Sequence, residues 1–364
     1  MKICCIGYFP GVGGAEKQLI SLANNLAEHG HEVYLLALAH CDIRFVVSDK
    51  VTVIDLSQGE RASRNALWYR YAALRAKFKE IAPDITVHFW VQSLYLTAGM
   101  PESIRGKLIY SERGDPSDDE YKGLLGLVRN LAFLKCDGFA FQSNSAMNYF
   151  GKDVVAKSVI IPNPINVSQK EFVPFSSRKS GRVVTVGRLC AQKNQVMLLK
   201  AFAKAHADCP ELYLDIYGEG PLLKELKERC CNLGIEDAVC FRGVTSNIYS
   251  EIADAQIFAF CSDFEGMPNA LLEAMSLGLV CITTDYRPNG AVRDFIVDKK
   301  NGFITKVNDV DGMADLLKSI STNSEIMADV SHEATKVRSL YTPEVIYGKW
   351  ETLVQAIGKG KQNS

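Results

Sequence analysis

The chain has 364 residues, 41 Lys and Arg against 42 Asp and Glu, and 47% hydrophobic residues. That length exceeds one ordinary hydrophobic core and points to two domains. The net charge of −1 argues against a nucleic-acid partner, and no apolar run reaches the roughly 18–20 residues of a transmembrane helix.

The start MKICCIGYFP lacks the basic lead and small-residue cleavage site of a secretory signal, and the 11 cysteines show no CxxC spacing. We expect reduced, mostly buried thiols in a cytoplasmic protein. The 6 histidines make no metal-ligand spacing, so no metal is expected.

KICCIGYF (2–9) reads as a strand, followed by a glycine loop from Gly11 to Glu16 and a helix with Leu19, Leu22, Ala23 and Leu26 on one face. Gly30 ends that helix and EVYLLALA is the next strand, a βαβ opening. The loop is not a GxGxxG fingerprint and no acidic residue ends the second strand, which counts against a dinucleotide-dependent dehydrogenase. Segment 61–81 reads as a helix with Leu67, Tyr71, Leu74, Phe78 and Ile81 as its buried stripe. Arg64, Trp68, Arg75 and Lys79 fall on one flank, with Arg70 and Lys77 on the other. That face suits either plain solvent or an anionic membrane surface and a diphosphate-linked lipid. DITVHFW, KLIYSE and DGFAFQS are further buried strands, and His88 in the first is expected to be a packed strand residue rather than a catalyst.

After the proline- and serine-rich stretch IPNPINVSQKEFVPFSSRKSG, the opening repeats as RVVTVG, RLCAQKN, QVMLLKAFAKAH and LYLDIYG. Two such openings imply two doubly wound α/β domains. Gly187 and Arg188 end one strand and Lys193 opens the next helix, so the two cations can converge on a diphosphate or stand as ordinary surface charges. YGEGP (217–221) makes a sharp turn, and AVCFRG and AQIFAFCS follow as strands. The segment EGMPNALLEAM then enters an amphipathic helix, with Pro268 in its first turn and Gly278 as its C-terminal stop. Such a helix start offers unpaired N–H groups to phosphate. Glu265 stands ahead of it, and Glu273 is expected about two turns behind its start. YTPEVIYGKWETLVQAIG closes the sequence as a helix.

EGMPNALLEAMSLG resembles the EGxPxxxxEA signature of the retaining GT-B glycosyltransferases of family GT4, and GRLCAQKN resembles the family's GRLxxxK segment. The loop with Gly13 and Gly14 is similar to its GGAE loop, and SERGDP resembles the SERNDP form found in polysaccharide-assembly members. The resemblance implies a GT-B architecture, two Rossmann-like domains facing an interdomain cleft. Their expected bounds are 1–165 completed by a helix over 343–359, a linker at 166–180, and 181–342.

It also implies roles. Arg188, Lys193 and Gly187 would meet the donor diphosphate, with Gly13 and Gly14 approaching it from the first domain. Glu265 would face the donor sugar and Glu273 the ribose, with Gly266, Met267, Pro268 and Asn269 at the helix start. Arg242 and Gly243 would lie at the nucleobase. Arg113 would either stabilise the leaving diphosphate or pair with Glu112 or Asp115 as scaffold, and the histidine that many relatives carry there is absent.

The implied activity is retaining transfer of a hexosyl or N-acetylhexosaminyl group from a nucleotide-sugar, with a UDP-sugar expected as substrate and neither cofactor nor metal. The implied acceptor is an oligosaccharide or polyprenyl-diphosphate-linked glycan of capsule, O-antigen or exopolysaccharide assembly. The implied location is the inner face of the membrane, touched through 61–81. An epimerase or phosphorylase of the same fold, and a non-catalytic sugar-nucleotide-binding partner, are the alternatives.

Overall fold

A computed structural model describes residues 1–10, 13–57, 66–114, 116, 123–166, 171–287 and 290–359. The chain forms two compact units, Met1–Asn163 with Glu344–Ser364, and Pro164–Pro343.

The first unit runs β1 (Lys2–Phe9), α1 (Gly14–Glu28), β2 (Glu32–Cys41), β3 (Val51–Asp55), α2 (Ala66–Ile81), β4 (Ile85–His88), α3 (Val91–Ala98) and α4 (Glu102–Arg105). It continues through β5 (Lys107–Ser111), α5 (Gly123–Phe133), β6 (Gly138–Phe141), α6 (Asn144–Asn148), α7 (Lys152–Val155) and β7 (Ser158–Ile160). Its seven strands are parallel in the order β3-β2-β1-β4-β5-β6-β7. The direction of winding reverses between β1 and β4, which opens a crevice at the carboxyl ends of the strands. Right-handed crossovers then put α1 on one face and α2, α3 and α5 on the other. Packing agrees: Leu74, Phe78 and Ile81 of α2 meet Cys4, Ile6 and Leu36, while Leu94 of α3 and Phe133 of α5 meet Leu108 and Tyr110.

The second unit repeats the plan. It runs β8 (Lys179–Val186), α8 (Gln195–Asp208), β9 (Tyr213–Tyr217), α9 (Leu223–Leu233), β10 (Val239–Gly243), α10 (Ile248–Ile252) and β11 (Ala255–Phe260). Then come α11 (Asn269–Ser276), β12 (Val280–Thr284), β13 (Phe303–Thr305), α12 (Val310–Ser321), α13 (Ser324–Ala334), α14 (Val337–Leu340) and α15 (Pro343–Lys359). Its six strands are parallel in the order β10-β9-β8-β11-β12-β13, reversing between β8 and β11. Helix α15 belongs to the first unit: Trp350 stacks on Phe89 with centroids 5.9 Å apart, and Glu351 accepts from the His31 ring at 2.9 Å.

Two expectations change. Leu67 is 67% exposed and Tyr71 only half-buried, so the buried stripe of α2 is Leu74, Phe78 and Ile81, because the core it joins reaches only the later turns. Arg64 lies outside the described residues. The stretch expected as linker is also partly structured. Val173 and Phe175 pack on the second unit, and buried Arg178 donates to the carbonyls of Val173, Leu277 and Gly278 before β8 begins at Lys179.

His88 is a packed residue. Its Nδ1 lies 2.9 Å from Ser93 Oγ, which donates to the Trp90 carbonyl (2.7 Å), and its Nε2 lies 3.2 Å from Thr97 Oγ1. Burial, aided by the Arg105 charge, pulls its pKa down to about 3. Below the ordinary value of 6.5 the unfolded chain binds a proton that the folded chain refuses, so stability falls as pH drops from 6.5 toward 3. His88→Asn, which cannot titrate, should flatten that decline by up to about 1.4 kcal/mol per pH unit in denaturant melts. Parallel pH profiles for the two proteins would contradict the assignment.

Candidate active site: the strand ends of the second unit

The loop between β8 and α8 is shaped by glycine in its neighbour. Gly218 has φ +128°, and a Cβ there would collide with the Gly187 carbonyl; a Cβ at Gly220 would collide with that of Leu189. The two glycines of YGEGP therefore let the strand ends of β8 and β9 close on each other, a structural role.

Lys193 ends a short 3₁₀ turn, and its methylenes lie about 3.5–3.7 Å from where a Cβ on Gly187 would stand. Its Nζ donates to Glu265 Oε1 at 2.5 Å and sits 5.1 Å from the Phe260 ring centroid. Glu265 is 6% exposed. The two loops are tied further: Asp263 N donates to the Gln192 carbonyl (2.9 Å), Gln192 Nε2 to the Phe264 carbonyl (2.8 Å), and Asn194 Nδ2 to Asp263 Oδ1 (2.7 Å). Asn194, at φ 45°, also caps α8 by accepting from Met197 N. A third loop closes the set, since Glu265 N donates to the Arg287 carbonyl and Arg287 N to that of Asp263, both at 2.9 Å. The expected Lys193, Gly187 and Glu265 are thus brought together. Arg188 is exposed, and its guanidinium has no partner among the described residues.

Gly266 makes the bend before α11, and Met267 and Pro268 are buried. Pro268 is the N-cap rather than the first helical residue, since α11 begins at Asn269. Glu273 therefore lies just over one turn into the helix, not two, because the three residues after Glu265 are not helical. Its Oε1 accepts from Tyr249 Oη at 2.9 Å. Burial first, then the Glu273 carboxylate, holds the Tyr249 phenol protonated. Gly278 does end the helix: at φ +77° it donates to Met275 O and Leu279 N donates to Ala274 O, a Schellman pair.

Arg242 is already engaged. Its Nε donates to Asp215 Oδ1 at 2.7 Å, while Arg182 holds Oδ2 at 2.8 Å, so a fully buried carboxylate lies between two guanidiniums. Gly243, at φ +70°, accepts from Gly218 N.

In the first unit, Gly13 caps α1 in extended conformation and Gly14 opens it with free space around its Cα; Gly11 and Val12 lie outside the described residues. Arg113 stacks on Phe89 (4.1 Å to the centroid), lies 5.7 Å from the Trp350 ring centre, and donates to Asn163 Oδ1 at 2.7 Å. Desolvation pulls its pKa down to about 9, which leaves it cationic at neutral pH. Glu112, one of the partners expected for it, instead accepts from Tyr110 Oη and from the backbone N–H groups of Arg113 and Gly114. Asp115 lies outside the described residues.

The sequence reading missed Gln192, Asn194, Asp263 and Tyr249, which orient the site through contacts no motif spacing announces. It also missed Ser262 and Tyr286, whose buried hydroxyls find no protein partner among the described residues. No group of three or more His, Cys, Asp or Glu suited to a metal occurs among the described residues.

Comparison with known proteins places this geometry. Residues 168–337 match the family model of glycosyl transferases group 1, and residues 12–169 match that of glycosyltransferase family 4. The chain is 27% identical, over 98% of its length and 99% of the relative's, to the Campylobacter jejuni GalNAc-alpha-(1->4)-GalNAc-alpha-(1->3)-diNAcBac-PP-undecaprenol alpha-1,4-N-acetyl-D-galactosaminyltransferase. It is 21% identical to an amylovoran biosynthesis glycosyltransferase of Erwinia amylovora, over 94% of this chain and 96% of that one. Among solved structures, Anabaena HepE in complex with UDP and glucose superposes with TM-score 0.79 at 18% identity, covering 98% of this chain and 99% of the other. Matched along nearly its whole length by two adjoining models, the chain belongs to the GT-B glycosyltransferases of group 1, family 4.

Proposed function

We propose that the second unit binds a UDP-sugar and that the enzyme passes its hexosyl or N-acetylhexosaminyl group, with retention, to a polyprenyl-diphosphate-linked glycan during polysaccharide assembly. The observation that carries this reading is the Lys193–Glu265 pair beside the start of α11. A carboxylate accepts hydrogen bonds from sugar hydroxyls without donating any, and an ammonium at the same point stabilises charge as the diphosphate departs. Arg188 supplies a second, unengaged cation on the same loop. Glu273, steadied by Tyr249, takes the ribose. The reading uses front-face substitution, in which the leaving diphosphate accepts the acceptor's proton and the protein contributes positioning and charge.

The choice of donor and acceptor leans on relatives whose names specify UDP or an undecaprenol-diphosphate glycan. The reading also places the enzyme at the cytoplasmic face of the membrane, with α2 as one contact. No helix among the described residues is long and apolar enough to cross a membrane. UDP release from a panel of UDP-sugars tests the proposal: release that depends on added lipid-linked acceptor is expected, whereas epimerisation without acceptor, or phosphate-dependent cleavage, overturns it.

Lys193→Ala should lower kcat/KM by on the order of 10²-fold, about 2.7 kcal/mol of lost charge stabilisation. Near-normal turnover would remove Lys193 from the diphosphate site. Activity should persist in excess EDTA; loss on chelation with recovery in Mg²⁺ or Mn²⁺ would contradict the cation-only site.

The two glutamates should separate kinetically. Sugar hydroxyls are held while the anomeric carbon moves, whereas ribose contacts change little between ground and transition state. Glu265→Gln should therefore chiefly lower kcat and blur discrimination among donor epimers, and Glu273→Gln should chiefly raise donor KM and weaken inhibition by UDP. Equal weakening of UDP by both variants would mean that the donor lies differently along α11.

A further inference from the structure

The Lys193–Glu265 pair joins two groups that meet different parts of a donor, so binding has to part them. Their surroundings are unequal: the Lys193 side chain is 21% exposed and that of Glu265 8%. An incoming diphosphate therefore reaches the ammonium first, on its flexible stem, and competes with the carboxylate for it. A buried carboxylate deprived of its cation is costly unless another donor takes over.

Tyr286 stands where such a donor is needed. It is fully buried, and its Oη has no protein partner among the described residues. Interior hydroxyls are rarely left so, because an unmade hydrogen bond there is a standing cost. The residue lies beside the pair. Phe264 and Arg287 form an isolated parallel bridge, and Glu265 N donates to the Arg287 carbonyl at 2.9 Å, so Glu265 and Tyr286 adjoin the same contact between two chain segments. Phe260 links them further: its ring centroid is 5.1 Å from Lys193 Nζ and 6.4 Å from the Tyr286 ring, which meets it edge-on.

The phenol is also kept as a donor. Burial first, then the Glu265 carboxylate ahead of Asp294 and Asp285, holds its pKa well above the ordinary value, so it retains its proton. Of those three acids, Asp285 already accepts from Arg293 at 2.9 Å and Asp294 is partly open to solvent. Glu265 is the buried one, and the one whose cation has other work.

We propose that Tyr286 is the reserve partner of Glu265, a positioning residue that donates to the carboxylate when Lys193 turns to the donor diphosphate. The inference rests on the reading that Lys193 meets that diphosphate. No covalent bond changes: the ammonium gives up the carboxylate for a phosphate oxygen, the phenol donates its O–H to the carboxylate, and Glu265 stays charged for the sugar hydroxyls. Glu265 is the side chain that moves, since the Tyr286 ring is packed in one core cluster with Phe260 and Met267. A hydroxyl left unpaired in the free enzyme thus offsets part of the cost of opening a shielded pair.

The test has a ligand-free arm and a ligand arm, both on the full chain. Without ligand, Tyr286→Phe should leave the Tm of the parent unchanged or raised, because the hydroxyl it removes makes no bond there. In the Lys193→Ala background, where Glu265 already lacks its cation, the same change should lower Tm by about 2–4 °C. With ligand, Tyr286→Phe should weaken UDP binding about tenfold by calorimetry, the loss of one hydrogen bond to a charged group. It should have no effect on UDP binding in the Glu265→Gln background, which a merely structural tyrosine would not show. Equal Tm losses in the parent and Lys193→Ala backgrounds overturn the proposal. So does an unchanged UDP Kd in Tyr286→Phe, because Lys193 then serves carboxylate and diphosphate together. A parent that fails to bind UDP while the ligand-free coupling holds would count against the donor assignment and leave the Tyr286–Glu265 contact standing.

Discussion

A carboxylate that is almost wholly removed from water needs its counter-charge at a fixed point, and Glu265 imposes that requirement on the second unit. Lys193 meets it at 2.5 Å, but only because the loop that carries it is held in place from below and from both sides. Close approach at Gly218 and Gly220 sets the height of the loop; Gln192 and Asn194 lash it to residues 263–264; and the Arg287 strand end completes the frame. Breaking a shielded pair of this kind costs far more than breaking a surface pair, because the survivor stays buried and uncompensated. The pair thus fixes the relative placement of the three loops that meet around it.

The remaining arginines divide by environment. Arg182 and Arg242 are bound to Asp215, and Arg178 to helix-end carbonyls. Arg113 stacks on aromatic rings and reaches Asn163. Such guanidiniums use their donors to hold backbone and carboxylates in register and have little left for a ligand. Arg188 differs in standing exposed with no protein partner among the described residues. A cation free of internal partners can change partners without loss, which is what a substrate phosphate requires.

The doubly wound fold was legible because strand-length apolar runs alternate with helical periods, and each domain opens with the same strand, loop and helix. The site was legible where glycine and charge recur at fixed spacing, as in 187–193 and 265–273. Motif spacing does not report which hydrogen bonds a loop makes. It named Glu265 and Lys193 as ligands of a donor without indicating that they bind each other. It also counted about two turns across the eight residues from Glu265 to Glu273, whereas α11 begins only at Asn269 and leaves Glu273 just over one turn in. In α2 the 3.6-residue period predicted a longer buried stripe than exists, since periodicity identifies a face but not how far the partner surface extends.

The final helix gives the chain an unusual order of assembly. Trp350 is buried against Phe89, and Gly138 is bare so that Ile357 can lie over it, so the first unit lacks part of its core until residues near 350 are made. During synthesis at about 5–20 residues per second, the intervening 180 or so residues delay that completion by roughly 10–40 s. The second unit, contiguous from Pro164 to Pro343, has all of its strands before α15 emerges. The half of the protein translated first is therefore the half that finishes folding last, and its open flank is a natural point for chaperones or proteases to act on a stalled chain.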